Sequence, residues 1–335
     1  MAAAGKRVSR LIITNGDAAA ERIRAAGIEA EILPWRDVLY EGPVPGGLLL
    51  EALSLIRAQF LAAELARPPL DLLNDFAARD AAARNHGQHE RVELWFEHDL
   101  YDQLQLVQLL TFFADEGRLE GLFLVQAQDY LSLQTEDALR DLQSAARPVT
   151  PRHFDNARRA WEAFTAATPE PLVLLAQLDL PALPCLASAL RRLVLELPAE
   201  HTGLSVTEEK ILRSLAEAPT QVGPLFGKVE AQEDARFMTD LAFFRRIDSL
   251  VFAPQPLVAG LRKTSSECAG GPDSARYRMF ARSELSLTDA GRATLEGRFD
   301  HARENKIDRW FGGTHLTPDA LWRRDARDGV IAPAA

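Results

Sequence analysis

The chain has 335 residues, of which 47% are apolar, 26% charged and 7% aromatic, a balance that excludes wholesale disorder, collagen and fibrous coils and suits about two compact domains. The net charge of −10 comes wholly from residues 1–200, with 19 Lys+Arg against 29 Asp+Glu, whereas residues 201–335 balance at 19 and 19. An acidic amino-terminal part repels phosphate backbones and anionic lipid at long range, which disfavours nonspecific nucleic-acid and membrane-surface binding.

Chain order begins with a short β-branched run from Val8 to Thr14, the turn Asn15-Gly16-Asp17, and an alanine-rich helix from Ala18 to Ala26 that stops at Gly27. Ile28 to Leu33 reads as a second strand. Strand, turn, helix and strand within about 30 residues make a parallel βαβ unit, whose functional loops lie at the carboxyl ends of the strands. Helices follow at Leu48 to Ala66 and Leu70 to Asn85, then an exposed polar stretch from Asn85 to His89. A third strand runs from Val92 to Phe96, a helix from Leu100 to Ala114 and a fourth strand from Leu122 to Val125. The alternation predicts an α/β fold over residues 1–147: a small, mostly parallel sheet flanked by helices.

Prolines then punctuate residues 148–203, read as a helical connector with helices at Phe154 to Ala166 and Leu186 to Glu196. Residues 204–300 read as a winged-helix-like domain. There Thr207 caps a helix through Leu215, and helices follow at Val222 to Ala231 and Ala235 to Leu250. Wing strands are expected at Val251 to Phe252 and Tyr277 to Phe280, around a loop from Pro254 to Ser274, with Leu285 to Arg292 opening a further helix. Residues 301–335 read as a tail packing back on the body. The opening apolar run is too short for a secretory signal, and no segment reaches the roughly 18 apolar residues of a membrane span. Cys185 and Cys268 lie far apart without metal-ligand spacing, so the expectation is a cytoplasmic protein with reduced thiols.

Polar residues gather at successive strand ends. Asn15-Gly16-Asp17 precedes a helix whose free N–H groups favour an anion, with Asp17 either an N-cap or a partner for a hydroxyl, metal or cation. Arg36 and Asp37 follow the second strand, and Arg36 suits an anionic group. Glu97-His98-Asp99 follows the third, where two carboxylates flanking an imidazole suit acid/base work or a metal. Strand alternation puts Glu97 and Asp99 on one face and His98 on the other, and Asp99 with Asp102 also fits the first turn of the next helix. Glu97 and His98 are the candidate catalytic residues. The candidate ligand-binding residues are Asn15, Gly16, Asp17, Arg36, Asp37, Asp99, Gln103 and His315, with no metal-ligand set and no cofactor assigned. Tyr101, Gln105 and Gln108 share a helix face that lines a polar cleft or meets solvent. The helix holding Asp234, Arg236, Asp240, Arg245, Arg246 and Asp248 is too acidic for a typical DNA-reading helix, although Arg245, Arg246, Arg262, Lys263, Arg276 and Arg278 can form a small patch.

Asn15-Gly16-Asp17, Pro34-Trp35-Arg36-Asp37 with Glu41-Gly42-Pro43, Leu94 to Asp99 ahead of Asp102-Gln103-Leu104, and Arg309 to Leu316 follow one another in an order that resembles the bacterial family built on domain of unknown function 1835. The resemblance covers most of the chain and implies an α/β amino-terminal domain of unassigned activity. Together these features lead us to expect a small phosphorylated or nucleotide-like ligand in a cleft at the strand ends, with turnover left open. The alternative is a transcription-linked regulator or a protein-interaction adaptor using the winged helix. A protein partner stays open, nucleic acid is disfavoured, and no membrane is expected.

Overall fold

The computed structural model describes residues 10–268, 274–327 and 329–333, so Val8 and Ser9 of the first expected strand and residues 269–273 of the Pro/Gly/Ser-rich loop lie outside the described residues. Strands β1 (Arg10–Thr14), β2 (Glu31–Pro34), β3 (Arg91–Phe96) and β4 (Leu122–Gln126) run parallel, and β5 (Arg147–Pro148) adds an antiparallel edge. Their order is β2-β1-β3-β4-β5. Because successive strand residues face opposite sides, Leu11, Ile13, Val92, Leu94 and Phe96 enter the larger core, while Ile12, Trp95 and Val125 enter a smaller one. The fold class is therefore α/β with a mostly parallel sheet flanked by helices.

Helices α1 (Asp17–Ala25) and α5 (Glu136–Ser144) cover the smaller core through Ala19, Ile23 and Leu139. The larger core takes α2 (Leu50–Glu64), α3 (Pro69–Arg84) and α4 (Leu100–Asp115). It also takes α6 (Pro151–Phe164), α7 (Glu170–Ala176) and α8 (Leu186–Val194) from the proline-punctuated stretch, where α6 and α8 pack on α4 and Phe154, Leu172 and Leu190 join the core.

A second core gathers α9 (Val206–Glu217), β6 (Thr220–Gln221), α10 (Val222–Glu230), α11 (Asp240–Val251), β7 (Val258–Ala259), α12 (Ala275–Ala281) and β8 (Glu284–Leu287), followed by α13 (Asp289–Leu295). Its antiparallel sheet is ordered β6-β8-β7. The local expectations fail here in several places. Ser205, not Thr207, caps α9, in a capping box with Glu208. Val251 ends α11 instead of starting a strand, because its side chain completes the apolar face with Phe243, Ile247 and Leu250. Tyr277 to Phe280 lies in α12, capped by Ser274, and the strand falls instead at Glu284–Leu287, where Leu285 and Leu287 alternate inward.

The chain then forms α14 (His301–Glu304) and the hairpins β9 (Arg309–Phe311) with β10 (Thr314–Leu316) and β11 (Arg323–Arg324) with β12 (Val330–Ile331). The first hairpin seats on the end of α6: Gly313 N–H donates to Phe164 O at 2.9 Å, and a Cβ on Gly313 would lie 1.9 Å from Thr165 O. No helix among the described residues is long and apolar enough to cross a membrane.

A buried ion pair holds the loop after β2. Arg57, with no exposed side-chain area, donates from Nε and Nη2 to Asp37 Oδ1 at 3.0 and 2.8 Å and from Nη1 to Glu41 O at 2.6 Å. Arg57→Ala removes the hydrogen-bonded partner of the buried Asp37 and leaves it only Arg79 Nη1 at 4.0 Å, and is expected to lower unfolding stability by about 3–5 kcal/mol. Urea unfolding checks this, and a loss under about 1 kcal/mol would show that water reaches the pair.

Candidate functional site

In this sheet order β1 connects to β2 on one side while β3 lies on the other, so a crevice opens between the carboxyl ends of β1 and β3. Asn15 leaves β1 there, and Glu97 leaves β3. Helix α4 begins two residues after His98, with Asp99 as N-cap accepting from Asp102 N–H at 3.2 Å. An N-cap side chain and the residue three further on lie on the same side of the first turn, which turns Asp102 back toward Glu97. One carboxylate oxygen from each of Glu97, Asp99 and Asp102 lies within 4.8 Å of the others. All three are buried, at 4%, 3% and 1% exposure, so solvent screens their repulsion poorly.

Backbone and amide groups hold the cluster. Asp102 accepts from Asn15 Nδ2 at 2.8 Å and from Glu97 N–H at 2.6 Å. Glu97 Oε1 accepts from Leu131 N–H at 2.7 Å, and Glu97 O accepts from Gln103 Nε2 at 2.6 Å. The carboxylates open into a cleft of about 260 Å³ lined also by Tyr101, Tyr130 and Arg236. Arg236 comes from the segment between α10 and α11. Its backbone N–H donates to Tyr130 Oη at 2.6 Å, and its guanidinium lies 5.0 Å from the Tyr130 ring.

Burial pushes all three carboxyls up. For Asp99, burial and then the Glu97 charge raise the pKa to about 7. Asp102 is raised by burial and by the charges of Asp99 and Glu97, and Glu97 chiefly by burial, against the Leu131 N–H and hydrogen bonds from Asn15 and Asp99. The cluster therefore holds protons near neutrality unless a cation replaces them.

Of the residues singled out in the sequence, Asn15, Glu97, Asp99 and Gln103 meet at this cleft or directly behind it. His98 turns to the other side, into a neighbouring cavity with Gln128, Asp129 and Tyr130, its ring 5.5 Å from that of Tyr130. Gly16 is the N-cap of α1 with open space around it, and Asp17 sits in the first turn, where its carboxylate takes Arg36 Nε and Nη2 at 2.7 and 2.6 Å. That pair is half exposed, and the Arg36 hydrogen bond holds Asp17 below the usual carboxylate range. Asp37 serves the buried Arg57 pair. His315 stacks on Trp310 at 4.3 Å and meets Asp308 at 2.5 Å, on the carboxy-terminal hairpin. Gln105 and Gln108 face inward: Gln105 Nε2 donates to Asp37 O, and Gln108 Oε1 accepts from Trp35 Nε1, both at 2.8 Å.

The sequence pointed to Asp102 only as part of a helix start and to Arg236 only as part of the expected recognition helix, and Tyr130 was not singled out. The three-residue spacing after Asp99 was the signal for Asp102, but it also fits a helix start; Tyr130 and Arg236 are brought in only by tertiary packing. No family model and no curated protein matches the chain, and the roles of these residues rest on their geometry.

An acid with a raised native pKa keeps a proton that the unfolded chain has already released. The contribution of Asp99 to stability is therefore present below about pH 4 and lost as pH rises to about 7. Asp99→Asn keeps a good N-cap and removes the charge, so it is expected to flatten this slope and to stabilise the protein at pH 8 by about 2 kcal/mol. Denaturant unfolding at pH 4, 6 and 8 reads both effects; a wild-type slope retained in the variant would place the titration elsewhere.

Proposed function

We propose that the cleft between the ends of β1 and β3 binds a phosphorylated small molecule through a divalent cation held by Glu97, Asp99 and Asp102. The observation that carries this reading is the convergence of three buried carboxylates at the switch point of the sheet, where open α/β folds place their ligands. An all-carboxylate oxygen set suits a hard cation such as Mg²⁺ or Mn²⁺, which keeps open positions for phosphate oxygens. Arg236 also lines the cleft, its guanidinium over the Tyr130 ring, and would offer a planar donor fork to the same phosphate.

The motif order supports membership of the family built on domain of unknown function 1835. The run of α9, β6, α10, α11, β7 and β8 supports the winged-helix resemblance for the second unit. A DNA-reading role draws less support, because Arg245 is engaged by Glu41 and Glu64, and Arg246 by Glu208 and Glu196. The reading we favour for this unit is that it supplies Arg236 to the cleft.

Titration calorimetry with MnCl₂ at pH 8 is expected to show one site in the wild type and at least tenfold weaker binding in Asp99→Asn and Asp102→Asn. With Mg²⁺ present, a phosphate monoester such as phenyl phosphate should raise the melting temperature of the wild type and do so less in Arg236→Ala. Absence of Mn²⁺ binding at millimolar concentration would remove the cation from the proposal.

A further inference from the structure

A second cavity, of about 320 Å³, opens between α2, α3 and the start of α11. We infer that this cavity holds the planar aromatic base of a nucleoside phosphate whose phosphate end reaches the carboxylate cleft. The phosphate end rests on the reading of the cleft given above; the base site stands on its own geometry.

The floor is apolar, built from Val38, Leu61, Leu72, Phe76 and Leu241, and the volume is that of a small-ligand site. A flat apolar floor alone would also suit an acyl chain, but the rim argues against one. Arg36 and Arg67 keep N–H donors beyond their pairs with Asp17 and Asp75, and the Asp75 and Asp240 carboxylates keep lone pairs beyond their contacts with Arg67 and Tyr277; a base edge carries both kinds of group whereas an acyl chain carries neither. The walls suit a ring. Arg79, 5% exposed, lies 3.9 Å from the Trp35 ring and 4.3 Å from the Phe76 ring, so a π-system and a guanidinium plane already stack at this wall.

Arg79 also has an unmet donor. Its Nε and Nη2 reach Asp80 Oδ1, and Nη2 reaches Ser54 Oγ, but the buried Nη1 makes no hydrogen bond and stands 4.0 Å from Asp37 Oδ2. That donor is turned inward to Asp37, so Arg79 contributes to the cavity through its stacked guanidinium and not through a free N–H. Tyr101 joins the two sites. Its ring lines both this cavity and the carboxylate cleft, and its hydroxyl donates to Asn15 O at 3.2 Å on the cleft side. In the proposed pose the ligand's ring lies over Phe76 and its phosphate before Glu97, Asp99 and Asp102, with Tyr101 between the two ends.

The test is calorimetry of the full chain with adenosine, guanosine, cytidine and uridine, and with their 5′-monophosphates plus Mg²⁺. At least one nucleoside is expected to bind the wild type and Asp99→Asn alike, and its monophosphate to bind at least tenfold tighter than the nucleoside in the wild type only. Leu65→Trp at the cavity edge and Leu241→Trp in its floor, both half-buried positions, should weaken the nucleoside at least tenfold while Mn²⁺ binding is kept, which also reports that the variants are folded. Binding of no nucleoside, or unchanged binding in both tryptophan variants, overturns the base site and leaves the cation reading standing if Mn²⁺ still binds. Nucleoside binding without any Mn²⁺ binding overturns the cation reading alone.

Discussion

Parallel pairing of β1 with β3, with Thr14 opposite Trp95, sets the two segments leaving the sheet side by side, and the chemistry of the molecule depends on that pairing. It puts Asn15 within hydrogen-bond reach of Asp102 although 87 residues separate them. It also forces Glu97, at the end of a strand buried on both faces, to share a small volume with the first turn of α4. Charge is gathered where water is scarce, which hydrophobic packing alone would not favour. Such a cluster persists because backbone N–H groups, the Asn15 amide, and protons or a cation offset its repulsion.

A second set of charges joins the two cores. Glu208, buried at the start of α9, takes Arg309 Nη1 at 2.7 Å and Arg246 Nη1 at 3.2 Å. Burial alone would raise its pKa, but Arg309, Arg246 and His301 outweigh that and hold it far below the usual carboxylate range. Arg192 pairs with Glu196 and Glu233, and Lys210 also reaches Glu233. Glu233 lies three residues before Arg236, so this network anchors the segment that carries Arg236 to the cleft. Tyr40 adds a neighbouring hold, accepting from Thr239 N–H at 3.0 Å and meeting the Phe237 ring at 5.1 Å.

Where side chains serve one local purpose, the sequence was readable. The periodicity of Leu100 to Ala114, the alternation in Val92 to Phe96, and the glycine after α1 all report their elements because each follows from near neighbours in the chain. The wing region was not readable in this way. Val251 and Tyr277 to Phe280 have strand-like composition, yet helix caps at Thr239 and Ser274 and a shared apolar face with Phe244 decide for helix. Five candidate site residues, Asp17, Arg36, Asp37, His98 and His315, carry chemistry-bearing groups that the fold directs to ion pairs, ring stacking or another cavity.

The sequence by itself determined the strand and helix order from β1 to β4, the parallel sheet that follows from it, and the placing of polar residues at strand ends, but not α5 or the antiparallel β5. Those are consequences of spacing within a few residues. Only the tertiary structure decided which polar residues share a volume: it selected Glu97 and Asp99, added Asp102, and brought Tyr130 and Arg236 across the cleft. The physical reason is that a carboxylate's role depends on what surrounds it once water is removed. Burial, the distance to another charge, and an arginine more than a hundred residues away are properties of packing, which no local pattern records.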